Sequence, residues 1–139
     1  MPEVSAERSG WRDEALSRRH RRWGFDCPMV DLDFVGLEYD KGRATAIVEC
    51  KNERAAPQYA SSPSYQAMID LGTRAGVAVF ACRYTEDFAS FTAVPLNDEA
   101  KKHLPKRKEM TEPEWVRFLY SLRGYDCPQS VIDGIYTEI

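Results

Sequence analysis

The chain has 139 residues and a mass of 15.9 kDa, with 19 Lys and Arg against 22 Asp and Glu, a formal net charge of −3. That length predicts one domain with interior enough to fold without staples, and 43% hydrophobic with 12% aromatic residues excludes a disordered chain. The negative balance excludes a polycation that coats nucleic acid, so any such contact must come from local patches, and no apolar run approaches the roughly 20 residues that span a bilayer.

Residues 1–8, starting Met-Pro-Glu-Val-Ser, read as a loose leader without a signal-peptide apolar core, so a cytoplasmic, membrane-free protein is expected. From Ser9 to about Trp23 the composition predicts a helix. Asp13 and Glu14 come early and Arg18, Arg19, His20, Arg21 and Arg22 late, an order that complements the helix dipole. Its apolar stripe is weak, which puts it on a surface. Gly24 and Pro28 bracket a break. Met29 to Tyr39 is strand-like, Asp40-Lys41-Gly42 is a turn with glycine where φ > 0 is cheap, and Arg43 to Lys51 is the return strand. Both faces of this hairpin carry apolar residues, as in a sheet covered on both sides.

A polar loop follows from Asn52 to Ser61. Ser62-Pro63 then starts a helix, with Tyr65, Met68, Ile69 and Gly72 on one face and Gly76 at its end. Val77 to Tyr84 predicts a buried strand and Phe91 to Leu96 its neighbour. Residues 97–110 are rich in Lys and Arg and read as a basic linker. Thr111-Glu112-Pro113-Glu114 is a capping box ahead of a helix with Trp115, Phe118, Leu119 and Leu122 on one face. Gly124 stops that helix, and Val131, Ile132, Ile135 and Tyr136 predict a last short one. A helix carrying the chain from a hairpin to a further strand is the crossover of an α/β sandwich. Residues 1–96 would form its core, with 97–139 a basic linker and helical extension packed on the same domain. Cys27, Cys50, Cys82 and Cys127 form no C-x-x-C pair and have no His at zinc-ligand spacing, so small buried thiols in a reducing compartment are expected.

The residues that point to chemistry are Asp33, Glu49 and Lys51. Strand side chains alternate, so Glu49 and Lys51 share a face while Cys50 points the other way, and Asp31 and Asp33 share a face of the preceding strand. Pairing through the turn brings an aspartate near Glu49. Clustered carboxylates on an apolar sheet face repel and lose hydration, and a hard divalent cation compensates them. Carboxylate oxygens and a backbone carbonyl, here that of Cys50, suit Mg²⁺. Lys51 beside them can acidify a water and stabilise phosphorane-like charge, a layout for phosphodiester hydrolysis.

Asp33…Glu49-Cys50-Lys51, split across a hairpin and followed by helix then strand, resembles the PD-(D/E)XK nuclease superfamily over roughly residues 9–96. The resemblance implies a restriction-endonuclease-like αβββαβ sandwich with a mixed central sheet, here with a C-terminal helical appendage. It implies a Mg²⁺- or Mn²⁺-dependent endonuclease or resolvase acting on duplex or branched DNA, with homodimerisation open. The metal-binding aspartate of the superfamily falls on Asp33, its acidic motif residue on Glu49 and its catalytic lysine on Lys51. Holliday-junction resolvases add a glutamate on the first helix, matched by Glu14 with Glu7 behind it. Some members place a polar residue on the helix after the lysine strand, matched by Gln66. Pro28 stands five residues before Asp33 and three before Asp31, so both aspartates remain candidates for the metal, Asp33 preferred for its spacing to Glu49. A distinct first strand is hard to find between Trp23 and Met29. The stretch from Arg19 to Phe34 with Glu49-Cys50-Lys51 also resembles small uncharacterised proteins of phages and their bacterial hosts, which implies a prokaryotic or phage-infected cell.

A second acidic-x-Lys tripeptide, Glu99-Ala100-Lys101, lies in a polar segment without strand character. Arg18, Arg19, Arg21 and Arg22 read equally as a phosphate-contacting patch and as a solvated helix end. Lys101, Lys102, Lys106, Arg107 and Lys108 read as a solvated linker, and His20 and His103 as surface residues. No Ser-His-Asp order, phosphate-cradling loop or dinucleotide fingerprint is present. The alternative to an enzyme is an inactive nuclease-fold module that binds nucleic acid or a protein partner in phage–host function. The intact Asp33, Glu49 and Lys51 set favours the enzyme.

Overall fold

Two stretches of the chain, residues 1–31 and 32–139, separate as compact units in a computed structural model that describes residues 14–24, 26, 32–38, 41–57 and 60–135. In the first unit, α1 (Glu14–Arg22) lies within the helix expected from Ser9 to Trp23. Arg18, Arg19, Arg21 and Arg22 are all exposed, as are Leu16 and Trp23, so the weak apolar stripe does give a surface helix. Glu7, Cys27 and Asp31 lie outside the described residues, and so does the side chain of Glu14.

The second unit runs β1 (Phe34–Glu38), β2 (Arg43–Asn52), α2 (Pro63–Ala75), β3 (Ala78–Tyr84), β4 (Phe91–Pro95), α3 (Asp98–His103), β5 (Lys108–Met110), α4 (Glu112–Ser121) and α5 (Gln129–Ile135). The strands form one open sheet in the order β1-β2-β3-β4-β5. Strands β2 and β3 are parallel and every other pair is antiparallel, so the fold is α/β with a mixed five-stranded sheet. The expected hairpin is present: Phe34 pairs with Val48 and Glu38 with Arg43, with a bulge between Gly36 and Leu37. Gly42 sits at φ 57°, where a side chain would strain the turn. Strand β1 is shorter than expected, because Leu32 and Asp33 precede it.

The crossover from β2 to β3 is α2. Ser62 Oγ accepts the Tyr65 N–H at 3.4 Å, Pro63 occupies the first turn, and Gly76 ends the helix. Gly72 lies directly on the sheet, since a Cβ there would collide with the Val79 side chain. The central strands β2 and β3 are buried on both faces, whereas β1 is not covered as expected of the hairpin: Phe34, Val35 and Leu37 are exposed. Ile47 and Val79 pack with Tyr65 and Met68 on the α2 side. On the other side Ala46, Val48, Phe80, Cys82 and Ala93 pack with Trp115 and Met110. Full burial of a side chain such as Phe80 or Met68 contributes about 1.5–3 kcal/mol. The α4 capping box forms as predicted, Thr111 and Glu114 bonding each other's backbone. Its Trp115 stacks between Phe91 and Phe118, and Arg123 beyond it reaches β1 with bonds of 2.8 and 3.2 Å to Glu38.

The basic stretch after Leu96 is not a linker. Asn97 caps α3, and residues 108–110 pair with β4 as β5, so the sheet continues across the expected boundary at 96/97. Ala100, Leu104 and Met110 are buried in the core. Their lysine and arginine neighbours face solvent, and composition averages over faces that the backbone separates. Among the described residues, no helix is long and apolar enough to cross a membrane.

Candidate active site

The end of β2 places Glu49 and Lys51 on the face covered by α2, as strand alternation requires. Lys51 Nζ lies 3.2 Å from Glu49 Oε1. Glu49 is 6% exposed, and its Oε2 has no hydrogen-bond partner among the described residues. Asp33 stands one residue before β1, next in register opposite Glu49. Its Oδ2 accepts the Cys50 N–H at 2.9 Å, taking the place of a ladder carbonyl beyond the strand's start. The N–H and C=O of one extended residue point to the same side, so the Cys50 carbonyl also faces the β1 edge.

Burial pushes the Glu49 carboxyl above its ordinary range. The Lys51 hydrogen bond opposes that rise, the Asp33 charge adds to it, and the Asp33 backbone N–H opposes it again. Burial alone pulls the Lys51 ammonium down, but the Glu49 hydrogen bond and the charges of Glu49 and Asp33 outweigh it, so Lys51 ends above its ordinary value. Lys51 is therefore a fixed cation and Glu49 a carboxylate whose charge is incompletely compensated.

Asp33, Glu49, Lys51 and the Cys50 backbone thus come together. Gln66 is exposed on α2, its Nε2 donating to the Ala60 carbonyl at 2.6 Å. The α2 residue that faces the cluster is Tyr65, whose phenol is pushed up first by burial and then by the Glu49 charge. Its place in the apolar stripe was legible, its polar tip was not. Arg83 is a further cation at this end of the sheet, in register with Lys51. Its guanidinium donates to the Glu53 and Ala55 carbonyls at 2.6 and 2.8 Å and so holds the loop after β2. Strand alternation in Val77–Tyr84 was the only signal for it. Glu14, whose side chain is outside the described residues, and the four α1 arginines belong to the other unit.

Comparison of the chain with protein-family models, with curated proteins and with solved structures gives no match. The site has to be judged on its own donors. No group of three or more His, Cys, Asp or Glu suited to a metal occurs among the described residues. The Asp33 carboxylate holds the Cys50 N–H and lies near enough for its charge to act on Glu49, so two hard oxygen donors stand together at the end of β2, and one buried oxygen, Glu49 Oε2, lacks any partner among the described residues. That set fits Mg²⁺ or Mn²⁺, which keep several waters and take few protein ligands.

Proposed function

We propose that this protein is a metal-dependent nuclease of the PD-(D/E)XK type, hydrolysing phosphodiester bonds in duplex or branched DNA. On this reading the mixed sheet, with α2 crossing from β2 to β3, is the latter part of a restriction-endonuclease-like core. The observation that carries it is the orphaned Glu49 oxygen. A buried carboxylate left partly unpartnered is costly as mere structure, and this one lies between an aspartate and a pinned lysine.

Asp33, Glu49 and the Cys50 carbonyl would hold Mg²⁺ or Mn²⁺. The chemistry such an ion supplies when bound is charge neutralisation and polarisation of a phosphoryl oxygen. The Cys50 N–H fixes the Asp33 carboxylate before any ligand arrives. Glu49 aims the Lys51 ammonium, and Lys51 stabilises the negative charge that builds on the phosphoryl oxygens as the bond breaks. Tyr65 and Met68 close the helix side against water. Arg18, Arg19, Arg21 and Arg22 are exposed, as phosphate-binding residues must be. If they grip the DNA backbone, charge reversal at each should reduce the log–log salt slope of binding by about 0.9.

The test is plasmid nicking by the full chain with Mg²⁺, with Mn²⁺ and with EDTA, beside calorimetric Mn²⁺ titration. Metal-dependent nicking that Glu49→Gln abolishes together with Mn²⁺ binding is expected. Unchanged Mn²⁺ binding in Glu49→Gln would sink the assignment.

A further inference from the structure

On the face of β2 away from Glu49 and Lys51, Cys50 stands directly beside Cys82, its register partner across the parallel β2–β3 pair. Both are free thiols, and each interacts with the other's side chain. Neighbouring strands lie about 4.8 Å apart, inside the roughly 4.4–6.8 Å Cα separation that a disulfide tolerates. Paired side chains project from the same face, so no rotation of either strand is needed to bring the sulfurs together. The Cβ atoms of such a pair start about as far apart as the strands, whereas a disulfide wants them near 3.8 Å. The closed bond would draw the strands together at this point, and strained disulfides are the readily reduced ones.

Access is one-sided. Cys82 is 2% exposed. Cys50 is half-buried and lines an apolar cleft of about 510 Å³ with Phe34, Tyr84, Phe91 and Trp115. A small uncharged peroxide can enter such a cleft and meet Cys50 first.

We infer that peroxide converts Cys50 and Cys82 into a reversible disulfide that switches off the carboxylate site on the opposite face of β2. The Cys50 sulfur attacks one peroxide oxygen. The O–O bond breaks, an S–O bond forms, and the thiol proton leaves with the departing hydroxide as water. The Cys82 sulfur then displaces hydroxide from the Cys50 sulfenic acid, and with the Cys82 proton it leaves as a second water. Two thiols give up one electron each and one peroxide is reduced. Residue 50 moves toward β3, away from the β1 edge where its N–H holds Asp33 and where Glu49 and Lys51 flank it. The switch, though not the disulfide, rests on the nuclease reading.

The experiment treats the full-length protein with hydrogen peroxide, blocks free thiols, and maps peptides with and without prior dithiothreitol. A Cys50–Cys82 cross-link that dithiothreitol opens is expected. Both thiols still free, or Cys50 over-oxidised with Cys82 free, would overturn the disulfide. Nicking is measured on the same samples and on Cys82→Ala. Wild type should lose activity on oxidation and regain it on reduction, while Cys82→Ala keeps its activity throughout. Undiminished nicking by the cross-linked protein would overturn the switch. A reduced protein that nicks nothing fails the nuclease reading and the switch with it, while the peptide map still decides the disulfide.

Discussion

The chain contains the same tripeptide pattern twice, and the two copies behave differently. In Glu49-Cys50-Lys51 the backbone is extended, so the outer residues share a face and pair at 3.2 Å, with the Glu49 side chain 8% exposed. In Glu99-Ala100-Lys101 the backbone is helical, so the middle residue turns into the core, and Glu99 pairs instead with Lys102, one turn on, at 2.8 Å. An acidic-x-basic pattern therefore has no chemical meaning of its own. The period of the element carrying it decides whether acid and base meet, and the cover over that element decides whether the meeting is dry.

The contrast breaks if the two lysines prove equivalent. Lys51→Ala should slow nicking on the order of 10²–10³-fold, the loss typical of one removed electrostatic stabiliser, with calorimetric Mn²⁺ binding retained. Lys101→Ala should nick at the wild-type rate. Equal rates for the two variants would make Lys51 a bystander.

The second copy owes its helical setting to Asn97, so the next effect is on stability. Asn97 Oδ1 accepts from Ala100 N at 2.9 Å and Val79 N at 3.1 Å, and its Nδ2 donates to the Val77 carbonyl at 2.9 Å. Asn97→Ala removes a helix cap and strands buried backbone groups, for about 2–3 kcal/mol of destabilisation in urea unfolding.

Glu49→Gln should work in the opposite direction on the metal-free protein, raising its stability near neutral pH. The sign follows from the raised Glu49 pKa. The folded state holds a proton that the unfolded chain has released, so wild-type stability falls as pH rises from the unfolded to the folded value. The advantage of the Gln variant should be absent in acid, grow through that window, and level off above it. Melting curves across pH measure this directly, and Mn²⁺ should raise the melting temperature of the wild type alone. Glu99→Gln should be almost silent, about 0.2–0.5 kcal/mol for an exposed helical pair, with none of the metal response.

Much of this is readable from the chain. The hairpin, the Ser62 cap, the α2 stripe, the α4 capping box and the shared face of Glu49 and Lys51 all follow from local periodicity and turn chemistry, and each is present. What is not readable depends on the third dimension. The stretch from Asn97 to Met110 reads as a linker because its charges outnumber the three apolar residues that reach the core. Tyr65 and Arg83 escape a sequence reading because their proximity to Glu49 and Lys51 comes from crossover packing and parallel register, neither of which leaves a local mark. The tethering of Asp33 by a β2 N–H depends on the point at which β1 begins.

The β5 edge has a consequence for self-association. That strand is three residues long, and of its side chains Lys108 and Glu109 are exposed while Met110 turns inward. A bare sheet edge recruits further strands, from another copy or from a misfolded neighbour. A short edge bearing opposite charges offers few unpaired backbone groups and resists dehydration. Growth of the sheet on that side is thus discouraged, and a second copy of the chain would have to approach by another surface.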